Sequence, residues 1–168
     1  GAGPYQKQNL LQLRRLVPNP RTILDVGMNI AMNTIEYATW AKTVHGFEPT
    51  KQTYNMALKN IALAQAQTEA DMTKGWHANG SRATGWSSCV INGEIHTHNC
   101  ALSTEEGTTD IIIKKDNAGH NHIDNSDVPL PSGKERKHVV DPHKETITLK
   151  TLDSFALEEV DIIKVAME

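Results

Sequence analysis

The stretch from Thr22 to Thr34 constrains this chain more than any other: Ile23, Leu24 and Val26 form a short apolar run, and Gly27 follows at once. Such a run suits a buried parallel strand. Glycine at its end permits a sharp exit that brings backbone close to a ligand before a helix begins. A second apolar strand, Val44 to Phe47, ends in Glu48, and a carboxylate at a strand's C-terminal end can accept hydrogen bonds from both hydroxyls of a ribose. The two strand ends would line one crevice, and the pattern reads as a nucleotide-cofactor site.

Around this pair the apolar spacing alternates between strand and helix. Leu10, Leu13 and Leu16 or Val17 predict a first helix over Tyr5 to Val17, stopped by Pro18 and Pro20 and covering a sheet edge, with Arg14 and Arg15 on a solvated face. Ile35, Ala38 and Ala41 predict a helix over Met32 to Ala41. Thr50 is the expected N-cap of another, with Tyr54, Ala57, Leu58 and Ile61 buried. Strand, helix, strand, helix implies an α/β fold with a mostly parallel sheet and its ligand site at the strands' C-terminal ends. Trp76 and Trp86 sit in a Gly-rich loop, read as anchors. Asn92-Gly93 predicts a tight antiparallel hairpin between Cys89 to Ile91 and Glu94 to Ala101. Further strands are expected over Thr108 to Lys114, Glu145 to Leu149 and Val160 to Val165, with a short helical turn at Leu152 to Leu157. Asp116 to Lys144 is expected to form a long loop over the crevice.

A length of 168 residues allows one domain with a sizeable core, residues 1–20 forming a leader and the first helix. With 22% charged residues and a net charge of -3, the chain lacks the basic surplus of a nucleic-acid binder, and no nucleic-acid partner is expected. No apolar run approaches the ~20 residues needed to cross a bilayer, and the N-terminus has no signal-peptide pattern, so no membrane partner and a cytoplasmic location are expected. Cys89 and Cys100 read as reduced thiols.

A dinucleotide site would show Gly-x-Gly-x-x-Gly, whereas Asn29 and Met32 stand at the later glycine positions. A ligand with a ribose but no pyrophosphate needs less clearance, which favours methyl transfer from S-adenosylmethionine over hydride transfer. Leu24-Asp25-Val26-Gly27-Met28-Asn29-Ile30-Ala31 resembles the Asp-Val-Gly-Ala-Asn-Ile-Gly signature of the FkbM-type methyltransferase family. His45-Gly46-Phe47-Glu48-Pro49, Asn60-Ile61, Asn99-Cys100-Ala101-Leu102-Ser103, Thr151-Leu152-Asp153 and Asp161-Ile162-Ile163-Lys164 resemble that family's later motifs in order.

The resemblance implies a Rossmann-like class I methyltransferase fold, without the family's last strands, in a single incomplete domain over 1–168. It implies S-adenosylmethionine-dependent methylation of a small-molecule or sugar hydroxyl. The alternative is a non-catalytic cofactor-binding domain or inactive fragment. By the same resemblance Gly27, Met28 and Asn29 contact the amino-acid part of the cofactor and Asp25 organises their loop. Glu48 binds the ribose, and Ala101, Leu102 and Ser103 flank the adenine. Lys164 and Glu168 stand as catalytic candidates between cofactor and acceptor. The strand ending at Val165 is expected to present an unpaired apolar edge, and a homodimer to form through it.

A hydroxyl acceptor must lose a proton, and His96, His98, His120 and His122 are candidate bases. His96-Thr97-His98 and His120-Asn121-His122 are also i, i+2 pairs whose rings would share a strand face. Surface strand histidines account for that spacing equally well, and no metal site is assigned.

Overall fold

The computed structural model describes residues 4–73, 90–113, 122–123 and 143–166. Trp76, Trp86, Cys89, His120 and Glu168 lie outside them, as does most of the segment expected over the crevice, although its last residues, His143 and Lys144, begin a strand. Among the described residues three α-helices and eight strands follow in order: α1 (Pro4–Leu16), β1 (Thr22–Val26), α2 (Met32–Ala38), β2 (Thr43–Phe47), α3 (Lys51–Thr73), β3 (Glu94–His98), β4 (Ala101–Leu102), β5 (Gly107–Ile113), β6 (His122–Ile123), β7 (His143–Lys150) and β8 (Val160–Val165). Among the described residues, no helix is long and apolar enough to cross a membrane.

Two four-stranded sheets result. The first is parallel throughout, in the order β3-β2-β1-β8, compatible with a Rossmann-like fold. The second, β4-β7-β5-β6, is mixed: β4 runs parallel to β7, while β5 pairs antiparallel with both β7 and β6.

Register sorts the first sheet into two faces, because side chains alternate along each strand. Asp25, Gly46, Thr97 and Lys164 occupy one row, and Ile23, Val44, Ile95 and Ile162 lie on the same face. That face meets the helices. Ile23, Val44 and Ile162 pack with Tyr37, Ala38 and Ala41, and Leu10 and Leu13 of α1, with Val17 just after it, close over them. Thus α1 covers a sheet face and not the edge expected from its apolar stripe. Arg14 is not simply solvated: Nη2 donates to Thr39 Oγ1 at 2.7 Å, and the guanidinium lies 5.7 Å from the centre of the Trp40 ring. On the opposite face Leu24, Phe47 and Cys100 form a buried cluster with Leu152 and Phe155 of the short 3-10 turn (Leu152–Phe155).

The Asn92-Gly93 hairpin does not form. Both backbone N–H groups donate to the carbonyl of Ala38 at the end of α2, and β3 then runs parallel to β2. A side chain at Gly93 would sit 2.2 Å from the Ala41 carbonyl oxygen, so glycine here serves a close approach between segments, not a two-residue turn. The antiparallel pairing of this fold lies instead at β5, β6 and β7.

In α3 the buried positions are Thr53, Ala57, Ile61 and Thr68, whereas Leu58 is exposed. The stripe runs through threonines that an apolar count omits. Thr68 turns its hydroxyl to the Ala64 carbonyl and accepts from the Ile91 N–H, so burial leaves it satisfied.

Candidate functional site

The parallel sheet changes winding direction between β1 and β8, since β2 and β3 lie to one side of β1 and β8 to the other. Crevices at the C-terminal ends of strands flanking such a switch are where α/β sheets admit ligands. Gly27 leaves β1 here at φ 75. A Cβ on it would lie 3.2 Å from the Ala166 Cβ, so the glycine is required both by its backbone and by its neighbour. Asn29 and Ala31 also have positive φ, 52 and 69. Ala31 is fully buried, its methyl packed with Met28, Ile35, Ala57 and Ile61.

The loop after β1 is fastened inward. Gly27 and Met28 both donate their N–H to the Phe47 carbonyl, at 3.0 and 2.9 Å, and Ala31 N–H donates to Met28. The Met28 side chain lies over Gly46, where a Cβ would meet its sulfur at 2.4 Å. From the helix side Asn60 Nδ2 donates to the Ile30 carbonyl at 2.9 Å.

Glu48 joins the two strand ends. Its Oε2 accepts the Asn29 N–H at 3.2 Å, while Oε1 accepts from Thr50 N–H at 3.0 Å and Thr50 Oγ1 at 2.6 Å. Thr50 therefore spends its hydroxyl on Glu48. With 8% exposure the carboxylate is nearly sealed, yet its oxygens together offer about four acceptor sites and Oε2 holds a single described bond. Asn99 Nδ2 steadies the same turn by donating to the carbonyls of Glu48 and Pro49. After Asn99 and buried Cys100, Ala101 and Leu102 form β4, half-buried, and Ser103 N–H donates to the Lys150 carbonyl.

Asp25 is fully buried one row below the loop. Its Oδ2 accepts from Thr34 Oγ1 at 2.6 Å and its Oδ1 from Lys164 Nζ at 2.8 Å. Lys164, directly across from it in the β1–β8 register, also donates to the Gly27 carbonyl at 3.0 Å. Burial first, and the Asp25 carboxylate second, push the neighbouring Tyr37 hydroxyl up to about 12.

Asp25, Gly27, Asn29, Glu48 and Lys164 are thus linked through the loop and the strand ends, with Asn99 tying β3 to the Glu48 turn. Thr34, Asn60 and Asn99 escaped the sequence-based site. Thr34 and Asn60 are polar residues on helices flanking the signature, and a buried polar group near a ligand loop is the signal that marks them.

The candidate bases His96 and His98 are not part of this constellation. They occupy the face opposite Lys164, where His45 stacks on both rings, with centroids 4.9 and 5.3 Å apart. His98 also stacks on Phe47 and meets Phe155 edge-on. Burial, then His96, then His98 lower His45 to about 4, and burial followed by His96 lowers His98. Among the described residues no group of three or more His, Cys, Asp or Glu is placed to hold a metal ion.

Comparison of the chain with family models, with characterised proteins and with solved structures gives no significant match.

Proposed function

We propose that this chain carries an S-adenosylmethionine site of the class I methyltransferase type and serves O-methylation of a small-molecule or sugar hydroxyl. The observation that carries the reading is the meeting of Glu48 and Asn29 across the ends of β1 and β2, beside the winding switch of a parallel sheet. The polar set suits such a ligand: a nearly buried carboxylate that keeps about one acceptor site on Oε2 for a ribose hydroxyl, the Gly27 carbonyl, and the Lys164 ammonium.

When bound, the cofactor supplies an electrophilic methyl group. The contribution of the chain is alignment and exclusion of water, worth several kcal/mol when reacting atoms are held at ~3 to 3.5 Å. Glu48 would hold the ribose, with Ala101, Leu102 and Ser103 beside the base, following β4. Lys164 is paired with Asp25 in a near-neutral unit, so it does not repel a sulfonium.

Calorimetric titration with S-adenosylhomocysteine tests the reading. Saturable binding that Glu48→Ala abolishes is expected, with Glu48→Gln as the variant that keeps one acceptor oxygen and most of the turn. A folded chain that binds nothing would overturn it. A second reading, a non-catalytic binding domain, is favoured by the placement of the candidate bases His96 and His98 on the sheet face opposite Lys164. Binding without methylation across a panel of hydroxylated acceptors would select it.

A further inference from the structure

The loop after β1 is poorly equipped to receive an anion. Gly27, Met28, Asn29 and Ala31 turn their N–H groups inward, to Phe47, Glu48 and Met28, which leaves the Ile30 N–H as the loop's one backbone donor without a described acceptor. Exposed Asn29 retains only a neutral side-chain amide. A ligand whose far end is an amino acid brings a carboxylate, and a carboxylate entering a crevice needs donors, preferably charged ones.

We infer that Lys164 is the group that takes the amino-acid carboxylate of the cofactor. The assignment rests on the reading of the crevice as an S-adenosylmethionine site. An ammonium has three donors. Described residues engage two of them, Asp25 Oδ1 at 2.8 Å and the Gly27 carbonyl at 3.0 Å, and the side chain remains 25% exposed. Its two partners fix the ammonium between β1 and β8, beside the turn that leaves β1. Asp25 balances the charge, so the third N–H can meet a carboxylate without adding a net cation next to a sulfonium. Lys164 is then a binding residue that separates ligands with an amino-acid tail from those without one.

The test uses two ligands that differ in that tail. S-adenosylhomocysteine carries the carboxylate, whereas 5′-methylthioadenosine keeps the nucleoside and lacks it. Each is titrated by calorimetry into the whole chain, into Lys164→Met, and into the paired Asp25→Asn/Lys164→Met, which leaves no orphaned buried charge. Loss of one charge-assisted contact predicts a fall of about 10- to 100-fold in affinity for S-adenosylhomocysteine, with affinity for 5′-methylthioadenosine unchanged. Lys164→Arg, which keeps the cation, should retain most of the preference. An equal fall for both ligands in the paired variant, or none for either, would overturn the assignment and leave Lys164 a structural anchor. If neither ligand binds the unaltered folded chain, the cofactor reading fails first and this assignment goes with it.

Discussion

His45 Nδ1 lies 3.0 Å from His98 Nε2 across β2 and β3, so one ring must donate and the other accept. Two protonated rings cannot share that bond. His96 stacks against His45 and sits 3.3 Å from Glu94 Oε2. Because His45 is lowered from 6.5 to about 4, the unfolded chain binds more protons between those values. Stability is therefore present above the unfolded value and lost as pH falls from about 6.5 toward 4, by about 1 to 2 kcal/mol after allowance for solvent screening of half-buried rings. Urea midpoints from pH 7.5 to 4.5 should fall less for His45→Phe than for the unaltered chain; parallel slopes would refute the role of this pair.

Gly27→Ala should cost about 2 to 3 kcal/mol. A side chain is disfavoured at φ 75 by about 1 to 2 kcal/mol, and the new methyl meets Ala166 at 3.2 Å, a residue whose N–H is tied to the Val26 carbonyl. Chemical denaturation checks this, and a loss below about 0.5 kcal/mol would show that the loop relaxes freely.

Arg14 and Arg15, adjacent in α1, should behave differently. Arg14→Ala removes the bond to Thr39 and the contact over Trp40, an expected loss of about 1 to 2 kcal/mol, while exposed Arg15 should tolerate Ala within about 0.5 kcal/mol. Equal denaturation midpoints for the two variants would mean that α1 is held by its apolar stripe alone.

The β8 edge carries Ile163 and Val165, 51% and 54% exposed, and no described strand pairs with its outer side. Lys164, the one lysine in the strand, is turned inward to Asp25, so exposed Asp161 near the strand's start is the charge left to guard the edge. Light scattering should show a homodimer that grows with concentration and that Ile163→Lys removes. A monomer at every concentration would discard this interface.

Much of the frame was legible because apolar runs mark strands whatever their partners. β1, β2, β5, β7 and β8 all fall where Ile, Leu, Val and Thr cluster. Pairing was less legible. Asn92-Gly93 is a strong local turn signal, but the carbonyls of Ala38 and Ala41 lie far off in sequence and decide its conformation. Leu58 was misplaced because threonines occupy buried positions of α3 that an apolar stripe would assign to leucine. At the site, Gly27 and Glu48 declare themselves by position. The partnership of Asp25 with Lys164 does not, since 139 residues separate them and no local pattern links the two.

That separation also sets an order of events. β1 can pair with β2 after a short closure, from Thr22 to Thr43, but its other edge must wait for β8 from the far end of the chain. The longer closure costs about 2 kcal/mol more in chain entropy, and non-local parallel pairing is slow to form. The half of the crevice built by β1 and β2 can thus assemble early, while the Asp25–Lys164 contact, and with it the ammonium donor of the site, arrives near the end of folding. Substitutions at Lys164 should then accelerate unfolding and leave the refolding rate almost untouched.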